Sequence, residues 1–252
     1  MKQRFGIIGN TEALLRAIDV AIQVAPTDLS VLITGESGVG KESFPQIIHQ
    51  YSRSKHGQYI AVNCGAIPEG TIDSELFGHE KGAFTDAKDR RVGLVEAADG
   101  GTLFLDEIGE MDLLLQAKIL KLLEDRTIRR VGSVKERKVN LRVISATNCN
   151  LEQMVQQGKF RRDLFFRLRI ISIKVPRLYA RGDDILLLAR HFLASHGKRY
   201  GKPNLHFSQQ AEELLLSYTW PGNVRELRNV LEQTVLLAPS DTIAAHQLNV
   251  CM

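Results

Sequence analysis

The 252-residue sequence has few of the features that mark secreted, membrane or metal-binding proteins. Its three cysteines, Cys64, Cys149 and Cys251, are odd in number and widely spaced, which argues against a disulfide framework and against a zinc site. They are typical of reduced cytosolic thiols. The seven histidines show no metal-ligand spacing, since even the best pair, His191 and His196, would not share a helix face.

Long apolar runs are also missing. None approaches the roughly 18 residues of a membrane span, and the first ten residues lack the apolar core of a signal peptide. We therefore expect a cytoplasmic protein without membrane contact. The formal net charge of +4 suits an anionic ligand such as a nucleotide and is too small to indicate nucleic-acid binding.

Short apolar strands alternate with helical patterns through residues 1–176. Near-continuous apolar strands in such an order predict an α/β fold with a five-stranded parallel sheet between helices. The five runs are "SVLITGES", "YIAVNCGA", "GTLFLDEIGE", "LRVISATN" and "IISIKVPRL". Ligands bind at the carboxyl ends of strands in such sheets, where Gly35, Asn63, Asp106 and Asn148 fall.

The pattern changes after Pro176, where strand signals stop. Three helical stretches predict a small α-helical domain over 177–252, with its helices ending near residue 245. Ser208 and Asn223 are predicted N-caps, and Asn223 with Glu226 resembles a capping box.

A glycine-rich turn, "GESGVGKES", joins the first strand to the next helix. It nearly fits the phosphate-binding pattern G-x-x-x-x-G-K-[ST], in which backbone N–H groups surround phosphates. The alternative is a glycine-rich turn with no ligand. Glu42 departs from the pattern, because a magnesium-binding hydroxyl is expected there. The predicted nucleotide-binding residues of this loop are Gly35, Glu36, Ser37, Gly38, Val39, Gly40, Lys41 and Glu42.

Two further strand ends carry polar groups suited to phosphate chemistry. Asp106 would hold Mg²⁺, directly or through water, and Glu107 would orient the attacking water. The two carboxylates would otherwise cap the following helix. Asn148 would sense the γ-phosphate, or else form a turn.

Basic residues supply three more candidates. In "FRRDLFFRL", Arg161 and Arg167 would reach a neighbouring subunit's nucleotide as arginine fingers, unless they form a basic patch on a solvated helix. In "WPGNVREL", Arg225 would report the γ-phosphate to the helical domain, unless it is a surface arginine paired with a carboxylate.

These motifs together resemble the AAA+ ATPase domain of bacterial enhancer-binding proteins, the activators of sigma-54 RNA polymerase. The phosphate loop of that family has the sequence GESGTGKE, and the loop of this chain is "GESGVGKE". Glu42 therefore supports the resemblance, and the one difference in the loop is Val39 in place of threonine. The similarity covers essentially the whole chain. It continues in order through "VNCGAI", "SELFGHEKGAFTDA", "GGTLFLDEIGEM", "RVGS", "RVISATN", "FRRDLFFRL" and "WPGNVREL".

The resemblance implies a Mg²⁺-dependent ATPase that works as a ring, usually a hexamer, and remodels sigma-54 RNA polymerase holoenzyme. It gives Asn63 the role of a switch that holds Glu107, and it makes Arg167 the better finger. Ile8 and Gly9 fall where the family lines its adenine pocket. The resemblance gives Lys41 the contact with the β- and γ-phosphates and Asp106 the Mg²⁺, and it makes Glu107 the residue that activates water. Asn148 matches the family's sensor in the fourth strand, Arg161 an intersubunit arginine and Arg225 the second sensor, in the lid.

The resemblance also identifies a loop at about 76–90 as the contact with sigma-54. Its signature is GAFTGA in the family. Phe84 would give an apolar contact at the tip, or else tuck against its own domain. A second, basic loop from Arg129 to Arg137 would support the first. The contact residues are Gly82, Ala83, Phe84, Thr85, Asp86 and Ala87.

One departure affects function, since Asp86 stands where the signature has glycine. Aspartate restricts the backbone and adds charge beside the contact surface, so coupling to sigma-54 is the step it affects. The alternative function is an ATP-binding regulator of the same family that is uncoupled from sigma-54. A third alternative is a general AAA+ machine such as a helicase loader. The "GAFTDA" loop and Glu42 argue against it, because both match the enhancer-binding family. The family's DNA-binding helix-turn-helix is not visible, so we expect no direct DNA binding by this chain.

Overall fold

The computed structural model describes residues 5–84 and 87–250, so the predictions for Thr85 and Asp86 lie outside the described residues. The chain divides into two compact units. The sheet unit comprises Asp19–Thr34 and Phe44–Lys174. The lid unit comprises Met1–Ile18, Gly35–Ser43 and Val175–Met252, so that the glycine-rich turn packs with the C-terminal part of the chain.

Within residues 5–84 and 87–174 the structure has nine strands. In chain order they are β1 (Val31–Thr34), β2 (Tyr59–Asn63), β3 (Gly78–His79), β4 (Arg91–Val92), β5 (Thr102–Asp106), β6 (Thr127–Arg129), β7 (Glu136–Lys138), β8 (Arg142–Thr147) and β9 (Ile171–Lys174). Five of them form a parallel sheet in the order β2-β5-β8-β1-β9. The predicted five-stranded parallel sheet is thereby confirmed. The other four pair as antiparallel β3-β4 and β6-β7.

Burial explains why the sheet strands are so apolar. Every residue of β8 is buried, and so are the first four of β5 and the first three of β1. A strand at the centre of a parallel sheet is covered on both faces, so its sequence shows a continuous apolar run instead of alternation. The buried cluster of this unit includes Leu32, Leu103, Leu105, Val143 and Leu164.

The same described residues form seven α-helices: α1 (Glu12–Val24), α2 (Ser43–Gln50), α3 (Glu69–Phe77), α4 (Leu94–Ala97), α5 (Leu113–Asp125), α6 (Leu151–Gln156) and α7 (Arg162–Leu168). Side chains fix where two of them begin. Asp112 accepts a hydrogen bond from the backbone N of Leu115 at 2.8 Å, and Asn150 accepts one from Gln153 N at 3.2 Å. Such caps satisfy N–H groups that the first turn leaves unpaired.

The C-terminal part of the lid unit includes the α-helices α8 (Asp184–Arg199), α9 (Gln209–Ser217) and α10 (Asn223–Leu237), whose core includes Leu188, Leu215, Trp220 and Leu231. Ser208 caps α9 as predicted, by accepting from Ala211 N at 3.2 Å. The expectation of no further strands was wrong, because the two-residue strands β10 (His206–Phe207) and β11 (Thr242–Ile243) pair in parallel.

The predicted capping role of Asn223 was also wrong. Gly222 is the N-cap of α10, and Asn223 is its first residue, in the left-handed region at φ 53°. Half of the capping-box pattern survives, since Glu226 accepts from the backbone N of Gly222 at 2.7 Å. The Asn223 side chain forms tertiary contacts instead, which a local motif does not reveal.

Among the described residues, no helix is both long and apolar enough to cross a membrane.

Candidate functional site

The carboxyl ends of four sheet strands meet at one edge of the sheet unit. Asn63 and Asp106 are register partners at the ends of β2 and β5. Thr34 and Thr147 are partners at the ends of β1 and β8, and Asn148 follows directly. The sequence predicted this gathering, because parallel strands end at the same edge.

Glu107 leaves this edge in an uncommon backbone conformation. Its φ is 54°, in the left-handed region that non-glycine residues rarely adopt, and a short 3₁₀ helix, Ile108–Glu110, follows. The carboxylate lies over Gly65, where an added Cβ would come within 2.7 Å of Glu107 Oε2. Glycine at 65 therefore leaves the space that the carboxylate occupies.

Asn63 is hydrogen-bonded within its own turn. Its Oδ1 accepts from the backbone N of Gly65 at 2.9 Å and of Ala66 at 3.0 Å. Within the described part of the chain, Asn63 therefore orders the turn beneath the Glu107 carboxylate without a hydrogen bond to that carboxylate. The predicted switch role stays a prediction that this turn makes geometrically reasonable.

The strand edge has a negative electrostatic field. Burial, and then the charges of Asp106 and Glu107, raise the pKa of the Cys64 thiol to about 12. Two carboxylates beside one another repel unless a cation screens them. No cluster of three or more metal-ligating side chains occurs among the described residues. The donors that are present, the carboxylates of Asp106 and Glu107, are of the kind and number that Mg²⁺ uses together with water and substrate phosphates.

The glycine-rich turn has a backbone conformation that two of its glycines permit. Gly38 and Gly40 have φ values of 77° and 95°, which favour glycine. The Lys41 ammonium is folded back over the turn, and Nζ donates to the carbonyls of Gly35 at 2.8 Å and Glu36 at 2.9 Å. Val39 is buried at 2 % exposure, whereas Glu42 is exposed at the start of the following helix.

The first turn of α10 is bonded to this loop. The backbone N–H groups of Val224 and Arg225 both donate to the carbonyl of Gly38, at 3.0 and 3.3 Å. Arg225 Nη1 also donates to Ser37 Oγ at 3.1 Å. At Gly38, any side chain would collide with the carbonyl of Gly222. Arg225 is thus positioned beside the loop, as the sensor prediction requires.

Asn223 contributes the most buried of these bonds, although it was not predicted to belong to the site. Its Oδ1 accepts from the backbone N of Leu178 at 2.8 Å, and its Nδ2 donates to Glu36 Oε2 and to the carbonyl of Ser37, both at 3.1 Å. The residue is fully buried. Its bonds hold the loop and the segment before α8 at fixed positions relative to α10.

Arg181 is a second unpredicted contact to the loop. It is 3 % exposed, and its Nη2 donates to the carbonyls of Val39 at 2.6 Å and Pro176 at 2.9 Å. Burial lowers the pKa of this guanidinium to about 10, and the nearby charge of Asp184 opposes the shift. The sequence around Arg181, which lies two residues before "DD", contains no motif that distinguishes a buried arginine from a surface arginine.

The segment predicted to line an adenine pocket is fixed to the start of α8. Asp184 accepts from the backbone N of Asn10 at 2.6 Å and of Thr11 at 3.1 Å, and from the Thr11 hydroxyl. Gly9 has φ 145°, and a Cβ there would lie 2.7 Å from Leu14 Cδ2. Ile8 packs against the helical core. Only glycine fits at position 9.

The two predicted arginine fingers, Arg161 and Arg167, differ in how many hydrogen bonds their guanidinium groups already form within the chain. Arg161 forms a two-point ion pair with Asp163, with Nε to Oδ1 at 3.0 Å and Nη2 to Oδ2 at 2.7 Å. Its hydrogen bonds hold the pKa of the Asp163 carboxyl below its usual value. Arg167 is exposed, and its Nη2 donates to the Leu123 carbonyl at 3.1 Å. Arg167 therefore keeps more donors for a phosphate.

The predicted sigma-54 contact loop is closed at its base. The backbone N of Gly82 donates to the carbonyl of Ala87 at 2.8 Å, and Ala87 N donates to the carbonyl of Phe84 at 2.9 Å. Phe84 is 44 % exposed, and its ring meets His79 edge-on with centroids 4.9 Å apart. Its ring is thus partly supported by its own unit and partly presented to solvent.

The second loop lies against the first. The backbone N of Glu80 donates to the carbonyl of Val131 at 3.0 Å, and a Cβ on Gly132 would lie 2.8 Å from Ala83 Cβ. The Arg130 side chain is fully buried and bonds Glu80 at 3.1 Å and Glu96 at 2.6 Å. This arginine ties the base of the Phe84 loop to α4.

Comparisons with known proteins agree with this architecture. The Sigma-54 interaction domain matches residues 7–174, and the AAA+ ATPase lid domain matches residues 179–251. Nitrogen fixation protein AnfA of Azotobacter vinelandii is 46 % identical over 251 residues, which are 98 % of this chain and 47 % of AnfA. Sigma54-dependent transcriptional activator SfnR of Pseudomonas putida is 46 % identical over 90 % of this chain and 62 % of its own length.

Solved structures resemble the whole chain as well. The crystal structure of NtrX from Brucella abortus in complex with ATP has a TM-score of 0.88 and 37 % identity, over 96 % of this chain and 54 % of NtrX. The chain thus spans roughly half to three-fifths of the length of these relatives. The Sigma-54 interaction domain matches two-thirds of the chain's residues, and the lid domain matches the part that follows. The chain therefore belongs to the Sigma-54 interaction domain family of AAA+ proteins.

Proposed function

We propose that this chain binds ATP with Mg²⁺, hydrolyses it, and uses the hydrolysis to remodel sigma-54 RNA polymerase holoenzyme so that transcription starts. The observation that carries the proposal is the closed loop around Phe84, which presents an aromatic ring to solvent and is braced by a second loop. A ring that is supported on one side by His79 and is 44 % exposed on its loop can give a partner an apolar contact.

ATP binding is assigned to the glycine-rich turn and the lid. Backbone amides of residues 35–42 surround the phosphates, and Lys41 exchanges its carbonyl contacts for the β- and γ-phosphates. Ile8 and Gly9 adjoin the base, and Arg225 detects the γ-phosphate. NtrX, in its crystal complex, binds ATP, which supports this assignment.

Hydrolysis is assigned to the strand edge of the sheet unit. Asp106 would hold Mg²⁺, which would neutralise charge on the phosphate oxygens. Glu107 would orient and deprotonate the attacking water, and Asn148, which directly follows β8, would register the γ-phosphate. Asn63 orders the turn at Gly65 and Ala66, and the Glu107 carboxylate lies over Gly65. A movement of this carboxylate would therefore be transmitted to the turn that Asn63 holds.

We further propose that the working form is a ring, a hexamer as is usual in the family, in which Arg167 completes the neighbour's site. Replacing Arg167 by alanine should lower ATP turnover of the assembled protein about 100-fold or more, because an arginine finger stabilises charge in the transition state. Nucleotide binding by an isolated subunit should stay unchanged. Steady-state turnover and a binding titration on the same preparation check this.

Arg162→Ala is the matched control, because Arg162 lies on the same helix with its guanidinium over the Phe166 ring. It should keep most of the turnover. Equal losses for both variants would instead indicate a general effect on α7, and unchanged turnover of Arg167→Ala would exclude the finger role.

A second candidate function is favoured by one sequence feature, Asp86 in place of the signature glycine. In this alternative the ATPase is intact, but the loop does not engage sigma-54. Capture of sigma-54 in the presence of ADP and a metal-fluoride transition-state mimic separates the two.

The natural chain, Asp86→Gly and Phe84→Ala should be compared side by side, with ATPase activity confirmed in each preparation. We expect the natural chain to trap sigma-54 and Phe84→Ala to lose about tenfold or more in trapping, since it loses a buried aromatic contact. Trapping by Asp86→Gly alone would establish the uncoupled alternative. Trapping by none of the three would contradict the sigma-54 proposal.

A further inference from the structure

A basic pocket lies at the edge of the sheet opposite to the strand ends described above. Its residues precede β1 and β5, precede or begin β8, or follow α2 and α5, all within the sheet unit. The pocket has a volume of about 280 Å³ and is lined by Asp28, Arg53, Ser54, Gly100, Arg126, Asn140, Leu141 and Arg142. Three guanidinium groups and one carboxylate give it a formal charge of +2.

Arg142 is the buried member of this group. It is 3 % exposed, and it donates to the carbonyls of Ala25 at 2.6 Å and Val24 at 3.0 Å. Its Nε is buried with no hydrogen-bond partner among the described residues. Burial lowers the pKa of this guanidinium to about 10, and the charge of Asp28 opposes the shift.

The positive charge of the pocket is not neutralised by the protein. Within the described part of the chain, none of Arg53, Arg126 and Arg142 forms an ion pair with a carboxylate. Arg126 is held at the C-cap of α5 at φ 54°, where its Nη1 donates to the carbonyl of Leu141. A buried cation without a counter-charge is costly, and a bound anion removes that cost.

The geometry points to a second ligand site: we propose that this pocket binds a phosphate group, either free phosphate or the phosphate of a small ester. Guanidinium groups match phosphate oxygens with paired, charge-assisted hydrogen bonds. The Ser54 hydroxyl and the Asn140 amide add neutral donors. The volume suits a small anion and is below the usual range for larger organic ligands. The site is separate from the nucleotide site and independent of its function.

The test must exclude phosphate binding at the glycine-rich turn. Calorimetric titration of inorganic phosphate is therefore made on Lys41→Ala, whose change lies in the lid unit, after circular dichroism confirms its fold. Saturable binding is expected there. Adding Arg53→Gln should raise the dissociation constant about tenfold, since one charge-assisted contact is lost. Arg53 is exposed, so this variant should fold.

Two further variants test whether phosphate affinity follows the charge of the pocket. Arg90→Gln makes the same charge change at an exposed residue outside the pocket and should leave phosphate binding unchanged. Asp28→Asn should tighten binding, because it removes the one carboxylate of the lining.

Glycerol 3-phosphate and sodium chloride at matched ionic strength complete the titrations. Tighter binding of glycerol 3-phosphate identifies an ester as the ligand, and tighter binding of inorganic phosphate identifies the free anion. No saturable binding of either in Lys41→Ala, an equal effect of chloride, or equal losses for Arg53→Gln and Arg90→Gln would each overturn the proposal.

Discussion

Glu107→Gln should abolish most ATP hydrolysis while leaving ATP binding nearly intact. The substitution keeps the size of the side chain and its place over Gly65 but removes the carboxylate to which we assign the orientation and deprotonation of the attacking water. General-base groups contribute about 100- to 10,000-fold to rate, so turnover should fall by at least about 100-fold. Turnover and the dissociation constant for ATP are measured on one preparation.

Glu110→Gln is the matched control for this experiment. Glu110 ends the same 3₁₀ helix, is exposed, and lies 3.6 Å from Cys149 Sγ through its Oε1. The same loss of one negative charge there should change turnover little. Comparable losses of turnover in both variants would mean that the lost negative charge, and not a specific role of Glu107, causes the effect. Near-normal turnover of Glu107→Gln would exclude Glu107 as the residue that activates water.

The backbone conformation of Glu107 is part of this argument. A left-handed residue other than glycine costs about 1–3 kcal/mol and persists only where the surroundings enforce it. Here β5 ends at Asp106, whose Oδ1 accepts from the backbone N of Glu107 at 3.0 Å, and the 3₁₀ helix begins at once. The strain directs the carboxylate away from the strand and over the turn at Gly65. Such outliers concentrate at functional sites.

The sheet could be predicted from sequence because its signals are local. β1, β5 and β8 are buried on both faces, so each appears as an apolar run, and the polar residue after each run marks its end. The glycine-rich turn was equally visible, since its residue types are required by the backbone conformation. Asp106 and its register partner Asn63 follow from the same reasoning.

The contacts of Arg181 and Asn223 could not be predicted in this way. Asn223 reaches Glu36 across 187 residues of sequence, and the motif around it resembles a helix cap. Its left-handed backbone turns the side chain away from the N–H groups that a cap would satisfy. Arg181 is an arginine whose burial depends on a tertiary carbonyl, that of Val39. Hydrophobic periodicity carries no information about either bond.

The contacts of Asn223 lead to the second large effect, a loss of stability in the lid unit. Asn223→Gly removes four side-chain hydrogen bonds and leaves the buried N–H of Leu178 without its partner. We expect the free energy of unfolding to fall by about 2–4 kcal/mol, because unsatisfied buried donors cost about 1–3 kcal/mol each. ATP affinity should fall too, since the loop loses its fixed position.

Asn223→Ala separates the backbone from the side chain. Both variants lose the same hydrogen bonds, but alanine is strained at φ 53° and glycine is not. Alanine should therefore cost about 1 kcal/mol more than glycine. Denaturant unfolding of both variants, with Asn229→Ala on the exposed face of α10 as the control, measures the difference. If glycine unfolds like the natural chain, the hydrogen bonds do not hold the loop. If alanine and glycine are equally destabilised, only the side-chain bonds of Asn223 matter, and its left-handed backbone stores no strain.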